Sequence, residues 1–225
     1  MHTEILTREQ EQLLDFLRSF KRGFYLVGGT AIALQMGHRR SIDFDLFTMD
    51  KIKRLTLRRK AEQSGLPCKL LGEDSDQIHF VLNNVKVTFF SYPYAVEHPV
   101  LLGDIISMPT LLSLAAMKAF ALGRRAKWKD YVDLCFLIRD HFSVPEIIRE
   151  AQRLFGDSFS DRLFRGQLTY HADIDYAEAV EFMPGFEIDA ETVKAFLIDK
   201  ALEGVVETSG GGGRGTDGVQ TACRA

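Results

Sequence analysis

Residues 26–47 read LVGGTAIALQMGHRRSIDFDLF, and the hydrophobic period of this stretch changes twice. Residues 24–27 form a short apolar run that ends at two glycines, which predicts a strand followed by a tight turn. Residues 30–36 are again apolar, with a helical pattern. Residues 41–47 alternate between apolar and polar side chains, which predicts a strand with one buried face. The stretch therefore predicts the order strand, turn, helix, strand.

The turn between the first strand and the helix carries Gly28, Gly29 and Thr30. Glycines at a strand-to-helix turn let the backbone approach a ligand, and the free amides at the start of a helix attract phosphate. Such turns also occur where no phosphate binds, so the glycines alone leave a structural and a functional interpretation open.

The alternation of the second strand places Asp43 and Asp45 on one face, close enough to share a divalent cation. Carboxylates suit Mg²⁺, which keeps waters and takes the rest of its shell from phosphates. Alone, the pair also fits the solvated outer face of an edge strand. Together with the glycine turn, it sets a phosphate cradle beside a metal pair, which is the arrangement that phosphoryl transfer needs.

The composition of the 225 residues, 46% hydrophobic and 26% charged, is typical of a soluble globular protein. The apolar runs are shorter than the roughly 20 residues that span a bilayer, and the charged N-terminus is unlike a signal peptide. The three cysteines stand far apart and form no CxxC pair, which argues against a disulfide framework or a zinc ribbon. These features predict a cytoplasmic protein with no membrane partner.

Further along the chain, the pattern changes from mixed to helical. A helix is predicted at 8–21 and a basic helix at 51–64. Strands are predicted at 67–72, 77–82 and 85–92, with a turn at Asn83-Asn84 and one more short strand at 105–106. Later helices are predicted at 109–123, 127–140, 144–155, 160–170 and 190–206. The glycine-rich residues 209–225 lack periodicity, which predicts disorder.

The stretch that begins at Lys118 reads KAFALGRRAKWKDYVDL and places charged residues on two successive helices. Lys118 shares its helix with an apolar face, so it either meets an anion, such as a nucleotide phosphate, or snorkels to the surface. Asp130 is interpreted as a catalytic carboxylate or as an ion-pair partner. Asp133 is interpreted as a structural partner of Lys129 or Arg125.

These two stretches together resemble a known family. Residues 26–47 are similar to the first motif of the DNA polymerase β-like nucleotidyltransferase superfamily, and within it to the AbiEii-type group. That group pairs GGTA and HR-x-S-x-D-x-D-L-F with a helical motif K-x-x-A-L…R…K/R-D-x-x-D-L, which is similar to residues 118–134. The resemblance implies an α+β fold, with a minimal nucleotidyltransferase core (a small mixed sheet with flanking helices) followed by a C-terminal helical bundle.

The domain organisation is predicted from the change of pattern and from this resemblance. Residues 1–107 are expected to form the nucleotidyltransferase core. Residues 108–207 are expected to form a helical domain that completes the active-site cleft, and 208–225 a disordered tail.

The resemblance also implies a reaction, in which a nucleoside monophosphate moves from an NTP to an acceptor hydroxyl with Mg²⁺ or Mn²⁺. Asp43 and Asp45 are expected to hold the metal and to form the catalytic set with Lys118 and Asp130. The residues expected to bind the nucleotide come from the two motifs; they are Gly28, Gly29, Thr30, Arg40, Ser41 and Lys118. The protein is then expected to be the toxin of a toxin–antitoxin or phage-defence system, with a cognate antitoxin and with RNA such as tRNA as the favoured acceptor.

One feature departs from the superfamily, whose members usually supply a third metal-binding carboxylate from a later strand. The corresponding place here is residues 85–92, where Thr88 or Phe90 stands instead of an acid. Three explanations stay open: Asp130 replaces the acid, the metal binds more weakly, or the protein binds nucleotide without efficient catalysis. The alternatives to RNA modification are a protein or small-molecule (antibiotic) nucleotidylyltransferase and a catalytically degenerate nucleotide-binding module.

Basic residues are concentrated in two segments, although the formal net charge is −3. Residues 51–60, KIKRLTLRRK, and residues 124–129, RRAKWK, flank the two motifs. Two interpretations of these clusters stay open: a local patch beside the site that holds RNA or a second polyanion, or an ordinary solvated face whose charges are balanced by acids elsewhere. Trp128 is interpreted as a packing residue rather than a base-stacking one.

Overall fold

The computed structural model describes residues 1–122 and 124–203. The predicted tail at 208–225 lies outside the described residues. The helices are α1 (Arg8–Glu11), α2 (Leu14–Arg18), α3 (Gly28–Met36), α4 (Arg54–Gln63), α5 (Leu111–Leu122), α6 (Trp128–Asp140), α7 (Val144–Phe155), α8 (Asp161–Thr169) and α9 (Ala190–Leu202). The strands are β1 (Tyr25–Val27), β2 (Phe44–Thr48), β3 (Cys68–Glu73), β4 (Gln77–Leu82), β5 (Val85–Ser91), β6 (Val100–Leu102) and β7 (Ile106–Met108).

A five-stranded mixed sheet organises the first half of the chain, in the order β1-β2-β5-β4-β3. The central pair, β2 and β5, is parallel, and the other pairs are antiparallel. This confirms the predicted α+β fold with a small mixed sheet. The single short strand predicted at 105–106 is part of a separate two-stranded ladder, because β7 pairs with β6.

Strand β2 shows the predicted alternation, but it begins later than the pattern indicates. Phe44 and Leu46 are fully buried, whereas Ile42 is 60% exposed and precedes the strand. The carbonyl oxygens of Ser41 and Asp43 accept hydrogen bonds from the hydroxyl of Thr30 instead of from a neighbouring strand. The prediction of a strand from residue 41 was therefore wrong at its first three positions.

The other boundaries follow local chemistry. Asn83 and Asn84 both have positive φ, 48° and 64°, as a type I′ hairpin turn between β4 and β5 requires, which confirms that predicted turn. The helix predicted at 8–21 is broken into α1 and α2. The helix predicted at 51–64 begins only at Arg54, after an irregular lysine-rich segment.

One face of the sheet packs on α2 and the residues that follow it, and α5 and α6 pack on α3. On that first face, the rings of Phe16, Phe20 and Phe24 surround Phe89 of β5 with centroid separations of 4.8–6.4 Å. Helix α3 contacts both α5 and α6, so the two charged helices of the second motif lie directly behind the glycine turn. The predicted boundary between residues 107 and 108 falls within β7, and the division into two domains stays a prediction.

Residues 175–183 form a strap that connects the two motifs. The backbone amide of Trp128 donates to the carbonyl of Asp175, and that of Arg40 donates to the carbonyl of Glu181. Met183 closes the strap with a hydrogen bond from its amide to the carbonyl of His38. In the described part of the chain, no helix has both the length and the apolar character needed to cross a membrane.

Candidate active site

A cleft of about 560 Å³ opens between the second face of the sheet and the helices α3 and α5. Its floor is formed by side chains of β2, β4 and β5, and its walls by the start of α3 and by one side of α5. Of the predicted site residues, Gly28, Asp45 and Lys118 line this cleft. The fold therefore brings the two sequence motifs together at one surface.

The parallel pairing of β2 with β5 sets Asp45 directly beside Thr88. The antiparallel pairing of β4 with β5 sets His79 on the other side of Thr88, with a ring nitrogen 3.1 Å from its hydroxyl oxygen. Thr88 rather than Phe90 thus stands beside the cleft carboxylate. Burial, followed by the charge of Lys86, lowers the pKa of His79, so the imidazole is neutral at physiological pH.

Gly28 makes room for the carboxylate of Asp45. Its φ is +75°, and a Cβ atom at this position would lie 2.6 Å from Oδ2 of Asp45. Because a side chain would both strain the backbone and displace the carboxylate, only glycine fits this position without disturbance.

Gly29 makes room for a second functional group, the guanidinium of Arg39. A Cβ atom on Gly29 would lie 2.5 Å from Nη2 of Arg39 and 3.0 Å from the Ser41 hydroxyl oxygen. Arg39 is 3% exposed and is held by other bonds, so it has no space to move. Each of the two glycines therefore leaves space for one charged group, Gly28 for the Asp45 carboxylate and Gly29 for the Arg39 guanidinium.

The side chains of the remaining predicted nucleotide-binding residues, Thr30, Arg40 and Ser41, are not part of the cleft lining. The Thr30 hydroxyl is buried and bonds to the segment before β2. The Ser41 hydroxyl lies 3.0 Å from it. Nε of Arg40 is 2.8 Å from a carboxylate oxygen of Glu181 in the strap. In the geometry that the structure describes, these three side chains shape the loop that carries Asp43.

A buried network of charges lies behind the floor, with Asp133 at its centre. Arg39 donates to both carboxylate oxygens of Asp133, from Nε at 2.7 Å and from Nη2 at 2.8 Å. Nε2 of His38 lies 2.8 Å from the same carboxylate, and Nζ of Lys118 lies 2.9 Å from it. The interpretation of Asp133 as a partner of Lys129 or Arg125 was wrong, because α6 turns this side chain toward α3 and α5.

Lys118 is held on its second side by Asp130, which also accepts a bond of 3.1 Å from Nε of Arg125. Asp130 is fully buried, and Lys118 is 5% exposed at the cleft wall. Burial alone would raise the pKa of Asp130, but the charges of Lys118 and Arg125 outweigh it and lower that pKa. Between the two interpretations of Asp130, this geometry favours the ion-pair partner.

The same reasoning gives the charge states of the rest of the network. Burial opposes ionisation of Asp133, yet the charges of Arg39 and Lys118 hold its pKa well below the ordinary value. Burial lowers the pKa of His38 more strongly than Asp133 raises it, so the imidazole is neutral and donates from Nε2. Two buried carboxylates thus face two buried cations, and each cation is fixed in place.

Asp43 and Asp45 supply the hard oxygen ligands that a divalent cation prefers. Asp43 is half-buried, and burial raises its pKa; Lys129 lowers that pKa and the nearby Asp45 raises it. A cation between the two carboxylates would relieve their repulsion, so the donor set fits Mg²⁺ or Mn²⁺ with phosphate oxygens completing the shell. Within residues 1–122 and 124–203, no group of three acidic, histidine or cysteine side chains is placed to hold a metal.

Sequence reasoning missed Arg39 and Lys86 as parts of this site. Arg39 lies inside the HRRS stretch of the first motif. The available signal was Asp133, the second acid of the α6 motif, because an acid on a packed helix needs a basic partner. Lys86 lines the cleft because it shares a face of β5 with Thr88. Only the register of the sheet reveals that position.

Comparisons with known proteins relate this chain to nucleotidyltransferases. A family model described as nucleotidyl transferase AbiEii toxin, type IV toxin–antitoxin system, matches residues 13–199. An uncharacterized protein of Aquifex aeolicus (strain VF5) is 34% identical over 142 residues, which cover 60% of this chain and 68% of that protein.

Solved structures show the same fold at low sequence identity. MenT4, a nucleotidyltransferase toxin from Mycobacterium tuberculosis H37Rv, superposes with a TM-score of 0.59 at 15% identity, covering 85% of this chain and 80% of that chain. A putative nucleotidyltransferase from H. pylori gives 0.55 at 14% identity, covering 86% and 91%. JHP933 from Helicobacter pylori gives 0.53 at 16% identity, covering 87% and 91%.

Proposed function

This chain belongs to the AbiEii nucleotidyltransferase toxin family, and from that premise we propose that it transfers a nucleoside monophosphate from an NTP to a hydroxyl group of RNA. The observation that carries the proposal is the charge pattern of the cleft. One carboxylate, Asp45, lies on its floor, and four cations line it: Lys86, Lys118, Arg124 and Arg125. This pattern suits a polyanion that brings a divalent cation with it.

Asp43 and Asp45 are the residues that would hold Mg²⁺ or Mn²⁺. When bound, the ion supplies Lewis-acid stabilisation of charge on the phosphates. The half-buried position of Asp43 and its proximity to Asp45 support this assignment.

Lys118 acts as a fixed positive charge toward the triphosphate, because Asp130 and Asp133 hold its ammonium at the cleft wall. Gly28 lets the backbone at the start of α3 approach the phosphates. Asp130 serves the reaction through Lys118 and Arg125, as a positioning residue.

In the reaction, the acceptor oxygen forms a bond with the α-phosphorus. The bond from the α-phosphorus to the oxygen that bridges to the β-phosphorus breaks, and pyrophosphate leaves. The acceptor proton passes to a carboxylate, for which Asp45 is the candidate because it is the acid that lines the cleft.

The basic segments support RNA as the acceptor. A second cavity, of about 240 Å³, lies between the end of α2 and the start of α4, and its lining includes Arg22, Lys51, Lys53 and Lys60. These side chains form a basic surface that suits a phosphodiester backbone. The type IV toxin–antitoxin family of the chain adds a cognate antitoxin as a proposed partner.

The test is incubation of the full chain with each α-labelled NTP, Mg²⁺ and total RNA, with and without EDTA. We expect labelled RNA with release of pyrophosphate, loss of the label with EDTA, and a loss of at least about 100-fold in Asp45→Asn. Asp157→Asn, an exposed carboxylate outside the cleft, is the matched control.

Other outcomes separate the alternatives. Label on added protein or aminoglycoside but not on RNA would replace the RNA proposal with one of the other transferases. Binding of NTP without label on any acceptor, in Mg²⁺ or Mn²⁺, would show a nucleotide-binding module. Full activity of Asp45→Asn would overturn the metal assignment.

A further inference from the structure

The floor of the cleft changes character along the strands. Because β2 and β5 are parallel and in register, Asp45 lies beside Thr88, and two residues further on Phe47 lies beside Phe90. Two residues of a strand span about 7 Å, so an aromatic row follows the carboxylate row at that distance. The cleft therefore has a charged end and an aromatic end.

The aromatic end is a supported surface rather than a set of loose side chains. The ring centroids of Phe47 and Phe90 are 5.1 Å apart, and Phe47 also lies 4.9 Å from Tyr92. Tyr94 continues the row at 5.2 Å from Tyr92 and packs on Phe120 at 5.4 Å. Tyr92 and Phe120 are buried, and they hold the half-buried rings in front of them.

A cation completes this end of the cleft. The guanidinium of Arg124 lies over the ring of Phe120, 3.5 Å from its centroid, and both residues line the cleft. Aromatic rings and arginine planes are the groups on which proteins stack unpaired bases. If the triphosphate faces Lys118 and Arg125, the nucleoside part of the nucleotide is free to occupy the aromatic end.

We propose that Phe47, Phe90 and Tyr94, together called the aromatic row, form the surface that binds the base of the NTP whose α-phosphate lies at Asp45, with Phe90 as the ring tested for stacking. The ribose of a nucleotide separates its base from its α-phosphate by a span similar to the distance between the two rows. The assignment rests on the proposed nucleotidyl transfer and adds to it the part of the protein that recognises the nucleoside.

The experiment measures the affinity of the full chain for two probes by calorimetry with Mg²⁺ present. One probe is an NTP analogue whose α,β-methylene bridge prevents cleavage between the α- and β-phosphates, and it is tested with each of the four bases in turn. The other probe is inorganic tripolyphosphate. Phe90→Ala removes a ring of the row, Phe90→Tyr keeps it, and Tyr170→Ala, an exposed tyrosine outside the cleft, is the control.

We expect Phe90→Ala to weaken the best-bound NTP analogue by roughly 5- to 100-fold, since stacking on an aromatic ring contributes about that much per base. Tripolyphosphate should bind this variant as it binds the wild type. Phe90→Tyr should keep the affinity for the NTP analogue, and Tyr170→Ala should change neither probe. If Phe90→Ala fails to fold, Phe90→Leu tests the same point, since it keeps apolar bulk without a ring.

Three results would overturn the proposal while leaving nucleotidyl transfer intact. They are an unchanged affinity of Phe90→Ala for the NTP analogue, equal weakening of both probes in Phe90→Ala, or a wild type that binds tripolyphosphate as tightly as the NTP analogues. A wild type that binds neither probe would overturn the proposed function as well.

Discussion

At the scale of single residues, the site depends on two positions that carry no side chain as much as on the charged side chains around them. Gly28 and Gly29 leave the volumes that the Asp45 carboxylate and the Arg39 guanidinium occupy. A strand-to-helix turn with two glycines was readable from the sequence. The groups that fill this space were not readable from the sequence. Asp45 follows Gly28 by 17 positions and Arg39 follows Gly29 by 10, so each pair meets only in the tertiary fold.

Gly28→Ala should therefore reduce nucleotidyl transfer by at least about 10-fold, because the new Cβ displaces the Asp45 carboxylate from 2.6 Å away. Gly65→Ala is a closely matched control. Its φ of +72° carries the same backbone strain of about 1–2 kcal/mol, but a Cβ atom there meets nothing within 4 Å. Equal activity of the two variants, measured with labelled NTP, would contradict the idea that Gly28 is needed to leave space for the Asp45 carboxylate.

Asp133 holds two cations and one imidazole, so Asp133→Asn should destabilise the fold by about 3–5 kcal/mol, since it leaves Arg39 and Lys118 buried with too little negative charge. Asp140→Asn is the comparison: its pair with Arg139 is partly exposed and should contribute less than about 1 kcal/mol. Urea denaturation measures both. A similar small loss in both variants would show that the network is not needed for stability.

At the scale of elements, hydrophobic periodicity predicted the position of a helix or strand well where the local sequence pattern alone determines it. Helices α5, α6, α7, α8 and α9 and the β4–β5 hairpin lie within a few residues of their predicted positions. The start of β2 was predicted three residues too early, because Thr30 bonds to the backbone at Ser41 and Asp43. Strand β6, the partner of the short strand predicted at 105–106, was missed because three residues leave too short a pattern.

Helix α4 and the segment before it give a prediction of their own. Lys51→Gln with Lys53→Gln should weaken RNA binding and lower the slope of log affinity against log salt by about two, because each lysine that contacts a phosphate contributes about one. Affinity for NTP should not change. The matched control is Lys194→Gln with Lys200→Gln on α9, and an equal loss of RNA affinity in both double variants would contradict a specific role of the segment before α4.

At the scale of the whole molecule, the buried network makes stability depend on pH. The pKa of His38 in the folded chain lies below its ordinary 6.5, so its contribution is complete above pH 6.5 and is lost as the pH falls below that value. Asp130 and Asp133, whose pKa values lie below the ordinary 3.8, keep their contribution until the pH falls through that lower range.

The free energy of unfolding should therefore decrease between pH 7 and pH 5, with up to about 1.4 kcal/mol per pH unit from His38, the limit for one proton. Burial also lowers the pKa of His79 and of His171, which are more exposed than His38 and add smaller slopes in the same direction. His38→Gln should remove most of this slope, whereas His141→Gln, at an exposed position, should keep it. Denaturation in urea at pH 7, 6 and 5 measures the slope. An unchanged slope in His38→Gln would assign the titration to another group.

The strap at residues 175–183 has a consequence for biosynthesis. Arg39 and Asp133 are 94 positions apart, and the strap that closes over His38 and Arg40 comes another forty or so residues later. A nascent chain on the ribosome therefore has to emerge past residue 133 before the charge network can form, and past residue 183 before the strap can close. Synthesis thus separates two stages, since every residue that lines the cleft precedes the strap that bonds to His38 and Arg40.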